Sequence, residues 1–105
     1  MKIERGGTSV YADLGLPDAK EMLIKAKLAT EINQIIRLCN LTQVEAAKIL
    51  GMTQPKLSGM LRGQFRGISE LKMIDCLNRL GRDVDIVVKP VPKTRSEGCV
   101  CVVFA

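Results

Sequence analysis

At 105 residues the chain is long enough for one domain with a single modest core and too short for two. Apolar residues make up 47% and charged residues 26%, but Tyr11, Phe65 and Phe104 are the only aromatics, which excludes a surface that binds by stacking on rings. The net charge of +5 favours an anionic partner, and residues 41–66 hold Lys48, Lys56, Arg62 and Arg66 against Glu45, a balance of +3, while the stretches on either side carry +1 each.

The chain opens without a basic start, apolar run and small-residue cleavage site, and no apolar stretch approaches the length that spans a bilayer. The expectation is a cytoplasmic protein with no membrane contact, whose Cys39, Cys76, Cys99 and Cys101 are reduced thiols. Residues 1–17 carry Gly6, Gly7, Gly15 and Pro17 and read as an N-terminal arm, with a short extended piece at Thr8–Ala12. Pro17-Asp18 followed by Glu21 has the form of a helix entry. The helix it opens is expected to run to about Cys39, with Leu28, Ala29, Ile32, Ile35, Ile36 and Cys39 on its apolar face and Asn40 as a left-handed stop.

Thr42-Gln43-Val44-Glu45 has the spacing of a capping box and predicts a short helix to Leu50, which Gly51 ends by accepting a positive φ. Thr53 opens the next helix. Pro55 fits there because a first-turn residue has no intrahelical use for its N–H, and Gly63 stops the helix. Ser69 caps a further helix through Leu80, with Met73, Ile74, Leu77 and Leu80 inward and Gly81 at its end. Beyond it the period changes to two: Val84, Ile86 and Val88 predict a strand closed by Pro90 and Pro92. After a polar connection, the branched residues of Cys99–Ala105 predict a second strand. Pairing of these strands, within or between chains, is the expected dimer device.

Two short helices around a glycine turn form a helix-turn-helix pattern, in which the second helix enters the major groove of DNA. Ala47 is small where the helices cross, and Ala46, Leu50, Met52, Leu57 and Met60 supply apolar contacts. With Leu57, Met60 and Leu61 inward, Gln54, Pro55, Ser58, Gly59 and Arg62 are expected on the outer side, with Lys56 on the flank. Glutamine pairs bidentately with adenine, arginine with guanine, and serine with base edges or phosphates. Gly59 fits if a base or sugar approaches closely. Gln43 and Thr53 begin their helices, where backbone donors hold phosphates, and Arg66 joins Lys48 and Arg62 in screened attraction to the backbone. The same arrangement also occurs as plain packing, with the outer side merely solvated.

No histidine, no C-x-x-C pair and no convergent acid–base group is present, so neither an enzyme nor a metal or other cofactor is expected. The Cys99-x-Cys101 pair could hold a metal or react, although two cysteines sharing one face of a strand is the plainer reading.

The stretch "LTQVEAAKILGMTQPKLSGMLRG" closely resembles the Xre family of helix-turn-helix regulators. "VYADLGLPDAKEMLIKAKLATEI" before it and "GQFRGISELKMIDCLNRLGRDVDIVVKP" after it resemble the HigA-type antitoxin-like branch, so the likeness covers nearly the whole chain. It implies a mostly α, lambda-repressor-like bundle of about five helices over residues 18–81, with a small β extension over 82–105 for dimerisation or partner binding. It further implies a homodimer that binds a double-stranded operator, represses transcription, and in many relatives neutralises a toxin encoded alongside. The family's phosphate-binding glutamine matches Gln43, its first base-reading position matches Gln54, and the next two fall on Pro55 and Gly59, which depart from the polar residues of phage repressors. Readout then rests on Gln54, Lys56, Ser58, Arg62 and DNA shape. The rival expectation is an interaction module that chiefly binds a toxin through its arm or tail, with DNA binding secondary.

Overall fold

The computed structural model describes residues 19–105. The N-terminal arm, its extended piece at Thr8–Ala12 and the Pro17-Asp18 helix entry lie outside them. Four helices follow in order: α1 Ala19–Leu38, α2 Gln43–Leu50, α3 Gln54–Leu61 and α4 Glu70–Arg79.

Local chemistry sets each boundary. Thr42, Thr53 and Ser69 are extended N-caps whose side-chain oxygens accept from the amides of Glu45, Lys56 and Lys72, relieving one orphan donor in each first turn. At Thr42 the capping box is complete, because the Glu45 carboxylate accepts in return from the Thr42 amide at 2.8 Å. All four helices end in the same way. Asn40, Gly51, Gly63 and Gly81 take positive φ. The next amide in each case bonds back five residues, Leu41 to Ile36, Met52 to Ala47, Gln64 to Gly59 and Arg82 to Leu77, at 2.8–3.1 Å.

Residues Lys25–Val84 form a compact helical unit. Its core is drawn from every helix: Ile32 and Ile35 of α1, Leu50 of α2, Leu57 and Met60 of α3, and Met73 and Cys76 of α4 are all essentially inaccessible. α2 packs against both α3 and α4, and buried Ala46 and Ala47 keep that approach close. Each large aliphatic side chain so buried contributes roughly 1.5–3 kcal/mol, which fixes the angle at which α3 is presented.

Four expectations are corrected. The described residues hold four helices, not about five. They contain no strand: Val84–Val88 and Cys99–Ala105 are irregular, and Ile86 and Val88, on the side expected to be buried, are 76% and 93% exposed. A period of two only suits a strand; a ladder partner must make one, and Pro90 and Pro92 break the run that would supply it. Cys39 is exposed although its amide still bonds back to the Ile35 carbonyl at 2.9 Å; it is the last residue before left-handed Asn40 turns the chain, beyond the end of α1 at Leu38. Ile74 and Leu80 are half-buried, whereas Cys76 takes the central place in the core.

Candidate nucleic-acid interface

The connection between α2 and α3 is three residues long, Gly51 to Thr53, and positive φ at Gly51 (+69°) turns the chain. α4 holds this turn from behind. Lys72 Nζ donates to the Leu50 carbonyl at 3.1 Å and Arg79 Nη1 to the Ile49 carbonyl at 3.3 Å. Both carbonyls belong to the last turn of α2, which lacks intrahelical donors and forms the negative end of the helix dipole. Asp75 spaces the two cations, 3.5 Å from Lys72 and 2.9 Å from Arg79. These groups are partly solvated, so each pair is weak, but the three act on one short turn. Lys72, Asp75 and Arg79 were not among the sequence-predicted site residues. Their spacing of three and four signals pairing within a helix; it does not reveal the reach to α2.

A second anchor lies beyond α3. Lys25 of α1 is 2% exposed, and its Nζ donates to the Arg66 carbonyl at 2.9 Å. The loop that carries Arg66 is thereby tied to the core, while the Arg66 side chain lies on the exposed surface.

On α3 the buried residues are Leu57, Gly59 and Met60, with Ser58 and Leu61 half-buried. Gln54, Pro55 and Lys56, the first three helical residues, are exposed, as are Thr53 before them and Arg62 after the helix. Exposure is therefore concentrated at the N-terminal end of α3, the part of a recognition helix that reaches base edges. Gly59 requires a correction. It is buried rather than on the outer side, and a Cβ built on it would lie 3.0 Å from Gln64 Oε1, so its small size makes room for the Gln64 side chain at the end of α3.

Gln43 and Gln54 are held together. Gln54 Nε2 donates to Gln43 Oε1 at 2.8 Å, joining the starts of α2 and α3. The inventory of the pair is informative: Gln54 retains Oε1 and one N–H, the two groups a bidentate contact with adenine uses, and Gln43 retains both amide hydrogens as donors. At the start of α2 the amides of Gln43 and Val44 have no intrahelical acceptor, so they can point at a phosphate. At the start of α3 the supply is smaller, because Pro55 has no N–H and the Lys56 amide is taken by Thr53 Oγ1 at 3.3 Å. Backbone amides without an intrahelical acceptor are thus more numerous at the start of α2 than at the start of α3.

The hydrogen bond from the Thr42 amide, then that from the Thr42 hydroxyl, with Lys48 nearby, holds the Glu45 carboxyl below its ordinary range, so it stays ionised within the cap. Burial pushes the Cys76 thiol up, as expected of a core sulfur. Among the described residues no three histidine, cysteine or acidic side chains cluster as metal ligands, and no helix is long and apolar enough to cross a membrane.

A family model described as "Helix-turn-helix domain" matches residues 10–89, most of the chain and all of this interface. The chain belongs to the helix-turn-helix domain family. A solved structure named "Putative XRE Family Transcriptional Regulator" matches this helix-turn-helix chain at 37% identity with a TM-score of 0.79, over 85% of this chain and the whole of that one. No curated protein matches. Helix-turn-helix regulators are not an enzymatic family, and the Xre-type likeness read from Leu41–Gly63 agrees with the structural neighbour.

Proposed function

We propose that this helix-turn-helix protein is a sequence-specific DNA-binding regulator of transcription, and that it represses. The carrying observation is the pinned pair Gln43–Gln54 at the exposed start of α3, in a segment with a +3 charge balance. In this reading Gln54 reads a base edge, with Pro55, Lys56, Ser58 and Arg62 beside it. Gln43, Thr53 and Arg66 contact the phosphate backbone. Gly59 acts only indirectly, through the turn that it allows Gln64 to close. The protein acts in the cytoplasm as a homodimer on a two-fold operator whose half-sites lie roughly 34 Å apart.

A second reading has its own support. Ile86, Val87 and Val88 are at least three-quarters exposed, and Val100 and Val103 are exposed as well, an apolar run that another chain would cover. The cover is a second copy of the tail in the dimer. A toxin protein in the same place would make the chain a HigA-type antitoxin. Binding of the full chain to DNA upstream of its own gene, compared with a scrambled duplex of equal length, tests the regulatory reading, and equal affinity for both would refute it. Sedimentation of a chain lacking residues 93–105 tests the tail: an unchanged dimer removes those residues from the interface, and co-purification with the product of the adjacent gene identifies the antitoxin case.

A further inference from the structure

The segment Asp85–Ala105 has no regular structure, yet it carries one defined arrangement. The Arg95 amide donates to the Pro92 carbonyl at 3.1 Å, closing a turn. The chain then doubles back, so that a Cβ on Gly98 would lie 3.4 Å from Val91 Cγ1. This return brings Arg95 Nη1 to 2.8 Å from Cys99 Sγ. Residues two apart in an extended chain project to the same side, and the Cys99 and Cys101 sulfurs accordingly stand 3.6 Å from each other, on two exposed residues. The pair lies far along the chain from α3 and outside the residues proposed to contact DNA, in the same tail that the dimer reading uses.

We propose that Cys99 and Cys101 form a dithiol exchange site whose oxidant is a low-molecular-weight disulfide. The Cys99 thiolate attacks one sulfur of that disulfide, the S–S bond breaks, and one small thiolate leaves with the bonding pair, giving a mixed disulfide on Cys99. Cys101 gives its proton to solvent and attacks Cys99 Sγ, and the second small thiolate leaves. The two cysteines are oxidised by one electron each, and the small disulfide is reduced by two electrons to two thiols. Arg95 sets a permanent positive charge beside the sulfur that carries negative charge during the first attack. For the second step the sulfurs must close from 3.6 Å to about 2.05 Å; because residues two apart in an extended chain stand roughly 6.6 Å apart, the backbone at Val100 must bend as well as the side chains rotate, which an irregular segment permits. A metal is the poorer occupant, since two thiolates leave a tetrahedral ion half-coordinated and the described residues offer no third clustered ligand.

The test treats the full chain with oxidised glutathione, quenches in acid, and locates the products by intact mass and peptide mapping. Exposed Cys39 serves as the internal reference, and buried Cys76 as the unreactive one. The expected product is a Cys99–Cys101 disulfide with no adduct retained on either residue. Cys101→Ser should accumulate the glutathione adduct on Cys99, and Arg95→Gln should slow loss of the Cys99 thiol several-fold relative to Cys39. Stable adducts on both Cys99 and Cys101 of the unaltered chain would overturn the proposal, as would a rate ratio indifferent to Arg95→Gln.

Discussion

Replacing Gly51 with alanine isolates the feature on which the presentation of α3 depends. Gly51 sits at φ +69°, a conformation that costs an L-residue about 1–2 kcal/mol. A Cβ there would also stand 3.2 Å from Arg79 Nη1, so the guanidinium must give by a few tenths of an ångström, which loosens its 3.3 Å bond to the Ile49 carbonyl. That bond is partly solvated and its loss adds at most about 1 kcal/mol. Alanine narrows the unfolded ensemble, which returns about 0.4–1 kcal/mol. The net expectation for Gly51→Ala is a loss of roughly 1–2 kcal/mol, read as a fall of about 1 M in the urea midpoint followed by circular dichroism. Two controls separate the causes. Gly67→Ala, with φ outside the positive range and nothing within 4 Å of the added Cβ, should stay within about 0.5 kcal/mol of the native chain. Gly51→Asn adds the same Cβ but tolerates the left-handed region, so it should cost clearly less than alanine. Equal losses for asparagine and alanine would place the cost in the Arg79 contact rather than in the backbone, and a Gly51→Ala chain as stable as the native one would refute the reasoning entirely.

Thr42→Ala should cost about 1 kcal/mol by opening the α2 cap. The linked pH effect has a definite sign: the folded carboxyl of Glu45 titrates below its unfolded value, so its stabilisation is present above the ordinary carboxylate range and is lost as pH falls through the folded value. The difference in stability between the native chain and Glu45→Gln should therefore shrink between neutrality and about pH 3 in parallel urea titrations. Gly59→Ala gains about 1 kcal/mol of helix propensity against displacement of the flexible Gln64 amide, so its stability should stay within about 1 kcal/mol of native. Its DNA affinity should change by less than about threefold, and a large loss would restore Gly59 to the contact surface. Gln43→Glu keeps an acceptor for Gln54 but sets a carboxylate toward the phosphates, and should weaken DNA binding about tenfold or more with the fold unchanged by circular dichroism.

The helical part of the chain is legible because its punctuation is local. Thr42, Thr53 and Ser69 as caps, and Asn40, Gly51, Gly63 and Gly81 as stops, act within five residues of themselves, and a cap or a positive φ does not wait on the rest of the molecule. The misreadings have the opposite character. Val84–Val88 and Cys99–Ala105 have strand-like composition, but a strand is a relation between two segments, and composition does not report whether the second is there. Gly59 was legible as an exception in a helix, while the return of the Gln64 side chain onto it depends on a side-chain conformation that composition does not report. The same limit hid Lys72 and Arg79, which reach 22 and 30 residues back to the end of α2, and Lys25, which reaches 41 residues forward to the loop after α3. Side-chain types on α3 could be read for the donors and acceptors they carry. The hydrogen bond that orients Gln54 through Gln43 needed coordinates.

The most direct measurement of α3 as the DNA-reading element is equilibrium binding to the upstream duplex across a salt series, for the native chain, Gln54→Ala and Arg62→Ala. Recognition through this helix predicts that Gln54→Ala loses about 1–3 kcal/mol on the specific duplex and almost nothing on a scrambled one, while Arg62→Ala weakens binding to the specific duplex with or without a salt slope smaller by about one, according to whether it holds a phosphate or a guanine. Native affinity and native discrimination in both variants would contradict it.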